Sequence, residues 1–307
     1  MSLNAHTGDW WAGKWAWVWP IVAASFLVLV TIVVYARVNP GSLIFEDFVN
    51  PQAKVASAKL NGLLWGSAAI IFLVVSIAAT MALATTVITS TRGYPRRKRF
   101  LMWAAAPVLL MVLIPASPFF AWRPYPTTPL AANNIAHVMP YVDAMMLITL
   151  VAAWLVIAAA STCIPGTTNT ADELYAAKRR SQAVLFAGAA VLIAGVIEID
   201  ALLQWAASAG RIDSETAKTL SAAATVPVGA FFSLYLACAY LPAALVLRHR
   251  GALLAQAKNP GKTLAEQTEW MEEQGLLTSV GAQLTTVIAL LGPVLASAPL
   301  KAIAGIG

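Results

Sequence analysis

Two carboxylic acids, Glu198 and Asp200, lie near the end of a run that is otherwise apolar from Val184 onward. An acid in such surroundings either pairs with a neighbouring group and ties helices together, or titrates and attracts cations along an ion or proton path. In a helix, positions 198 and 200 are about 200° apart, so the two side chains point to nearly opposite faces. They are therefore not expected to form a catalytic pair.

The residues that share a helix face with each acid differ in size. The Glu198 face is mostly small, with Ala187, Ala194 and Gly195, and small faces pack inward in membrane helices. Glu198 is thus predicted to face the bundle interior or a wet cavity. Asp200 shares its face with bulky residues and is expected to reach the outer headgroups.

Four further charged residues are predicted at about the same depth as Glu198. Asp143 lies in the opening turn of an apolar run, and Arg37, Arg123 and Lys218 lie at the ends of three other runs. Two arrangements are open for this set: buried ion pairs between the cations and the acids, or an acidic vestibule on an ion or proton path.

The composition places these residues in a polytopic membrane protein. Of 307 residues, 59% are hydrophobic and 11% are charged, and the mean hydropathy is +0.72, outside the range of soluble domains. A bilayer core about 30 Å thick needs about 20 apolar residues in a helix. Six runs meet this requirement and predict an all-α fold with six transmembrane helices: 15–37, 61–88, 100–122, 140–164, 182–208 and 220–247.

The basic residues predict the orientation of these spans. Thirteen of the 20 Lys and Arg residues lie in the N-terminal tail and in the connections at 92–99, 178–180 and 248–262, against six in the other connections. By the positive-inside rule the N-terminus is cytoplasmic, in what we expect to be a bacterial inner (plasma) membrane. The N-terminus lacks the pattern of a removable signal peptide. With this topology Glu198 lies about 24 Å from the cytoplasmic end of its span, in the outer third of the membrane.

The sequence divides at residue 262 into a six-helix transmembrane domain, 1–262, and a C-terminal segment, 263–307. Residues 263–274 predict a short acidic helix whose Thr263 and Glu266 match a capping box. In 276–298 the large apolar residues form one stripe, which predicts an amphipathic helix in the cytoplasmic interface or a re-entrant helix. A seventh span, which would place Lys301 at the outer headgroups, is the alternative.

Motifs of common catalytic and metal sites are missing from the sequence. HExxH, GxSxG, the P-loop and paired Cys motifs do not occur, and the three His residues lie outside the six runs. Cys163 and Cys238 are expected to pack as small apolar residues. No catalytic residue, metal site or cofactor is predicted, although a short intramembrane hydrolase motif would escape this search.

Two functional hypotheses follow from the acids. The first is a channel or transport protein, able to form homo-oligomers, with Glu198 on the permeation path. The second is a structural or accessory subunit of a larger membrane complex, in which the acids bridge helices. The expected partners are the lipid bilayer and either copies of the chain or other membrane subunits. Nucleic acid is not expected, because no soluble domain could present the basic residues to it.

Overall fold

The computed structural model describes Trp19, Val22 and residues 55–91, 139–165, 170–209, 214–277 and 280–297. Within these ranges the regular structure is entirely helical, which confirms the predicted fold class for this part of the chain. The helices are α1 (Val55–Thr91), α2 (Met139–Thr162), α3 (Ala171–Ala209), α4 (Ser214–Lys258), α5 (Leu264–Glu273) and α6 (Val280–Ser297). The predicted spans at 15–37 and 100–122 lie outside the described residues, apart from Trp19 and Val22.

Three of these helices are long and apolar enough to cross a membrane, and they coincide with three of the predicted spans. The apolar stretches are Asn61–Ser90 in α1, Ala171–Ala206 in α3 and Thr225–Lys258 in α4. Shorter apolar stretches, Leu147–Thr162 and Gly281–Ser297, lie in α2 and α6. This pattern is compatible with a membrane protein.

Two charged segments predicted as connections are helical extensions of the spans. α3 begins at Ala171, before the basic residues 178–180, and the Thr170 hydroxyl accepts a hydrogen bond from the Glu173 N–H at 3.3 Å. This N-cap, with acidic residues in the first turn, starts the helix. α4 continues through Arg248 and Arg250 to Lys258. Charged residues end an apolar run, but they do not by themselves end a helix.

Helix α3 is central to the described bundle and contacts α1, α2, α4 and α6. Gly188 marks its closest approach to α2 and α4, because a Cβ there would lie 2.8 Å from Val156 Cγ2 and 3.0 Å from Leu236 Cδ2. Small residues permit this spacing between membrane helices. Large buried side chains fill the rest of this interface, among them Leu83, Leu155, Leu185, Leu192, Tyr235 and Leu236.

The outward faces of the helices are strongly apolar. On α1, eight large apolar side chains are exposed among the described residues: Leu63, Leu64, Ile70, Ile71, Val74, Ile77, Met81 and Ile88. A continuous apolar face of this kind is unfavourable in water and is what a helix presents to hydrocarbon.

Candidate functional site

Glu198 lies on the face of α3 that packs against α1. Its side chain is only 5% exposed, and its Oε1 atom accepts a hydrogen bond of 2.7 Å from the indole Nε1 of Trp65. The structure thus places Glu198 in the interior of the bundle, as the small-residue face predicts. Because the surroundings are apolar, this hydrogen bond is electrostatically stronger than it would be in water.

A second tryptophan completes the environment of Glu198. Trp205, two helical turns after Glu198 on α3, stacks on Trp65 with ring centroids 5.1 Å apart and an interplanar angle of 14°. Gly62 of α1 makes room for this stack, since a Cβ at that position would lie 2.9 Å from Trp205 Nε1. We refer to Trp65, Glu198 and Trp205 as the indole–carboxyl cluster.

The α1–α3 interface next to the indole–carboxyl cluster is apolar and closely packed. The ring of Phe72 lies against Gly195, where a Cβ would be 3.6 Å from the ring. Ala69, Val191 and Ala194 belong to the same buried group. Glu198 therefore adjoins packed hydrocarbon and receives its described polar contact from the indole.

Asp200 faces the opposite side of α3 and is bound to α4. The Ser221 hydroxyl donates to Asp200 Oδ1, and Gln204 Nε2 donates to Oδ2 at 2.7 Å. Ser221 is itself buried, whereas Asp200 is half-buried. A hydroxyl on the neighbouring helix thus holds the carboxylate in the α3–α4 interface, and the expectation that Asp200 reaches the outer headgroups stays a prediction.

The remaining predicted site residues are not brought to these acids by any described contact. Asp143 lies in α2 and Lys218 in α4, but the structure does not describe their side chains. Arg37 and Arg123 lie outside the described residues. The proposed ion pairs of these residues with Glu198 or Asp200 stay a prediction.

The side chains that bind the two acids were not predicted from the sequence. Trp65 and Trp205 were not linked to Glu198, although Trp205 follows it by seven residues and thus shares its helix face. Gln204 follows Asp200 by four residues and shares its helix face in the same way. Ser221 gave no signal, because a single Ser at the start of an apolar run is common and its partner lies on another helix.

The arrangement joins helices through hydrogen bonds to carboxyl groups. Glu198 connects α3 to α1, and Asp200 connects α3 to α4, at nearly the same level of α3. Among the described residues, no group of three or more His, Cys, Asp or Glu side chains could hold a metal ion. Comparison with protein-family models, curated proteins and solved structures finds no match for this chain. Its function is therefore argued from these contacts.

Proposed function

We propose that this chain is an integral membrane protein with six spans, a cytoplasmic N-terminus and a place in a bacterial inner membrane. Support comes from the three long apolar helices, the exposed apolar faces and the excess of basic residues in alternate connections. In this orientation the basic start of α3 is cytoplasmic, and Glu198 and Asp200 lie in the outer third of the membrane.

Within that membrane protein, Glu198 and Asp200 act as structural ties, and the chain serves as a structural or accessory subunit of a larger membrane complex. The observation that supports this role is that each acid is hydrogen-bonded to a neighbouring helix. An acid on a permeation path must meet water or the permeating ion, whereas the Glu198 side chain is buried against an indole and packed apolar residues. Polar side chains that bridge helices are a recurrent means of association in membranes.

A channel or transport protein is the second candidate function, with Glu198 on the path and copies of the chain forming an oligomer. The observation that favours it is the carboxyl group itself, since acids at membrane depth often mark ion or proton paths. In this alternative the indole–carboxyl cluster would have to open for Glu198 to exchange protons or bind a cation.

Liposomes containing the purified chain separate these two functions. If the acids are structural ties, proton and potassium flux should equal that of protein-free liposomes, and Glu198→Gln should leave it unchanged. A flux above this background whose pH dependence disappears in Glu198→Gln would establish the transport function. Asp200→Asn is the matched control because its carboxylate faces α4 rather than the indole–carboxyl cluster.

The accessory role has a second test in the mass of the native assembly. The chain has a mass of 32.4 kDa. Native mass spectrometry of the complex extracted from its own membrane should give masses that are not multiples of this value. Exact multiples alone would show a homo-oligomer and would contradict the accessory role.

A further inference from the structure

Helix α6 runs antiparallel to α4. The register between the two segments is constant from Leu276, just before α6 begins, to Ser297 in its last turn. Leu276 lies beside Gly251, Tyr240 interacts with Thr286, the Val294 N–H donates to Ser233 Oγ at 3.2 Å, and Ser297 lies against Gly229. The paired residue numbers rise on α6 as they fall on α4, with no slip along the contact. Two straight helices side by side produce this pattern, whereas a helix crossing α4 at a steep angle would touch it at one point.

The same segment runs parallel to α3. Lys178 Nζ donates to the carbonyl oxygens of Gly275 and Leu277, at 2.9 and 2.7 Å. Farther along, the side chain of Ile193 covers Gly292. α6 has 18 residues, so at a rise of 1.5 Å per residue it is about 27 Å long, close to the thickness of a hydrocarbon core of about 30 Å.

The small residues and the exposed large apolar residues of α6 lie on opposite faces, as in a membrane helix whose outer face contacts lipid. The face toward α3 and α4 is mostly small and includes Ala289, Gly292 and Ser297, each of which is buried, while Leu290 packs beside them. The apolar stripe points away from the bundle and is exposed: Leu284, Val287, Ile288, Leu291 and Leu295. Residues 276–300 contain no Asp, Glu, Lys or Arg. A helix resting on a bundle in water would bury the stripe and expose the polar face.

Backbone groups beside the proline in α6 bond to side chains on α6 and α4. Pro293 removes one backbone donor from the interior of the helix. Ser233 of α4 accepts from the Val294 N–H, and Ser297 Oγ donates to the Val294 carbonyl oxygen at 2.7 Å. Gly229 of α4 allows this approach, because a Cβ there would collide with the Pro293 carbonyl oxygen. Hydrogen bonding of backbone polar groups is required where water is absent.

We infer that α6 is a further membrane-crossing helix, packed between α3 and α4, and that its apolar stripe contacts lipid acyl chains. The crossing carries the chain after Ser297 to the side of the membrane opposite α5. This inference rests on the proposed membrane placement of the bundle. It replaces the expected interfacial helix with an additional span.

Two epitopes in the full-length chain test the crossing. One is inserted between Pro260 and Gly261, in the connection before α5, and the other follows Gly307. In sealed vesicles of known orientation, antibodies should reach the two epitopes from opposite sides. Access to both epitopes from the same side would overturn the crossing. These insertions leave α6 unchanged, so the result does not depend on a substitution within the helix.

Spin labels test the lipid contact, in a background with Cys163→Ala and Cys238→Ala. A label at Leu291→Cys should be relaxed strongly by oxygen and weakly by a water-soluble nickel chelate, as should the control label at Ile77→Cys on α1. Strong relaxation by nickel at Leu291 alone would overturn the lipid contact of α6. Strong relaxation by nickel at both positions would instead show that the membrane placement itself is wrong. Dipolar coupling between Leu291 labels would show that a second copy covers the stripe, which would also overturn the lipid contact.

Discussion

The hydrogen bond between Trp65 and Glu198 should contribute measurably to the stability of the folded chain. A double-mutant cycle with Trp65→Phe and Glu198→Leu isolates this contribution. The first change removes the indole N–H and keeps an aromatic ring, and the second removes the carboxyl group and keeps a side chain of similar size. The indole N–H meets the buried carboxyl group at 2.7 Å in a partly buried contact, so each single change leaves its partner without the contact.

The expected magnitudes follow from the surroundings of each group. Trp65→Phe should cost about 1–3 kcal/mol for a buried carboxyl left without its donor. It should also cost about 0.5–1.5 kcal/mol of stacking on Trp205. Glu198→Leu should cost less, because the unpaired indole N–H is partly offset by removal of a buried acid. The stacking loss cancels in the cycle, because Trp65→Phe causes the same loss whether residue 198 is Glu or Leu. Hydrogen bonds between membrane helices average about 0.6 kcal/mol and reach about 1.7 kcal/mol, so for this short bond to a buried carboxyl group we expect a coupling in the upper part of that range, about 1–1.7 kcal/mol.

Reversible unfolding in mixed micelles, followed by tryptophan fluorescence or helical circular dichroism, measures the four free energies of unfolding. The control cycle pairs Trp65→Phe with Asp200→Asn, which share no described partner and should be additive within about 0.5 kcal/mol. Additivity within the same limit for Trp65 and Glu198 would refute the tie. A coupling equally large in both cycles would show a general loss of packing rather than a specific hydrogen bond.

Two further outcomes are expected from single changes. Gly62→Ala should lower the melting temperature, because its Cβ would press on Trp205. A Cβ at Gly66 would meet nothing within 4 Å, so Gly66→Ala should be neutral or should stabilise the fold by up to about 1 kcal/mol. Equal effects of the two substitutions would contradict the α1–α3 packing. Hydrogen bonds from the Thr263 backbone and hydroxyl hold the pKa of Glu266 below its ordinary value. These bonds therefore stabilise α5 fully above the unfolded-state pKa of about 4.3, and the stabilisation is lost as the pH falls through the lower pKa of the folded state. The Glu266 Cα chemical shift should lose helical character on acidification, and a shift that stays constant in the native chain or moves equally in Thr263→Ala would refute the capping role.

Local rules predicted the helices and their caps well. The apolar runs at 61–88, 182–208 and 220–247 correspond to α1, α3 and α4, because membrane-length hydrocarbon stretches have few alternatives to a helix. The capping box at Thr263 and Glu266 is confirmed, with α5 beginning at Leu264. Both features depend on residues within one helix, so they can be read from spacing alone.

Contacts between helices were much less predictable. Gly62 and Gly66 have the GxxxG spacing of close helix packing, which does not distinguish the two glycines, yet only Gly62 makes a close approach among the described contacts. The apolar stripe of α6 has the same periodicity whether water, lipid or protein covers it. The tertiary contacts determine which side of the helix is outside. The inference that α6 crosses the membrane rests on its registers against α3 and α4, which the sequence does not contain.

In hydrocarbon, an apolar helix face gains little by exchanging lipid for a protein neighbour, so specificity must come from other contacts. Two neighbours of α3 and α4 in this bundle, α1 and α6, each make a close approach at a glycine together with a polar bond. Toward α1 these are Gly62 and the Trp65–Glu198 bond, and toward α6 they are Gly229 and the bond from Val294 to Ser233. The acids are thus two of several polar bonds that assign a particular neighbour to each face. This accounts for carboxyl groups in an apolar helix without requiring that anything pass beside them.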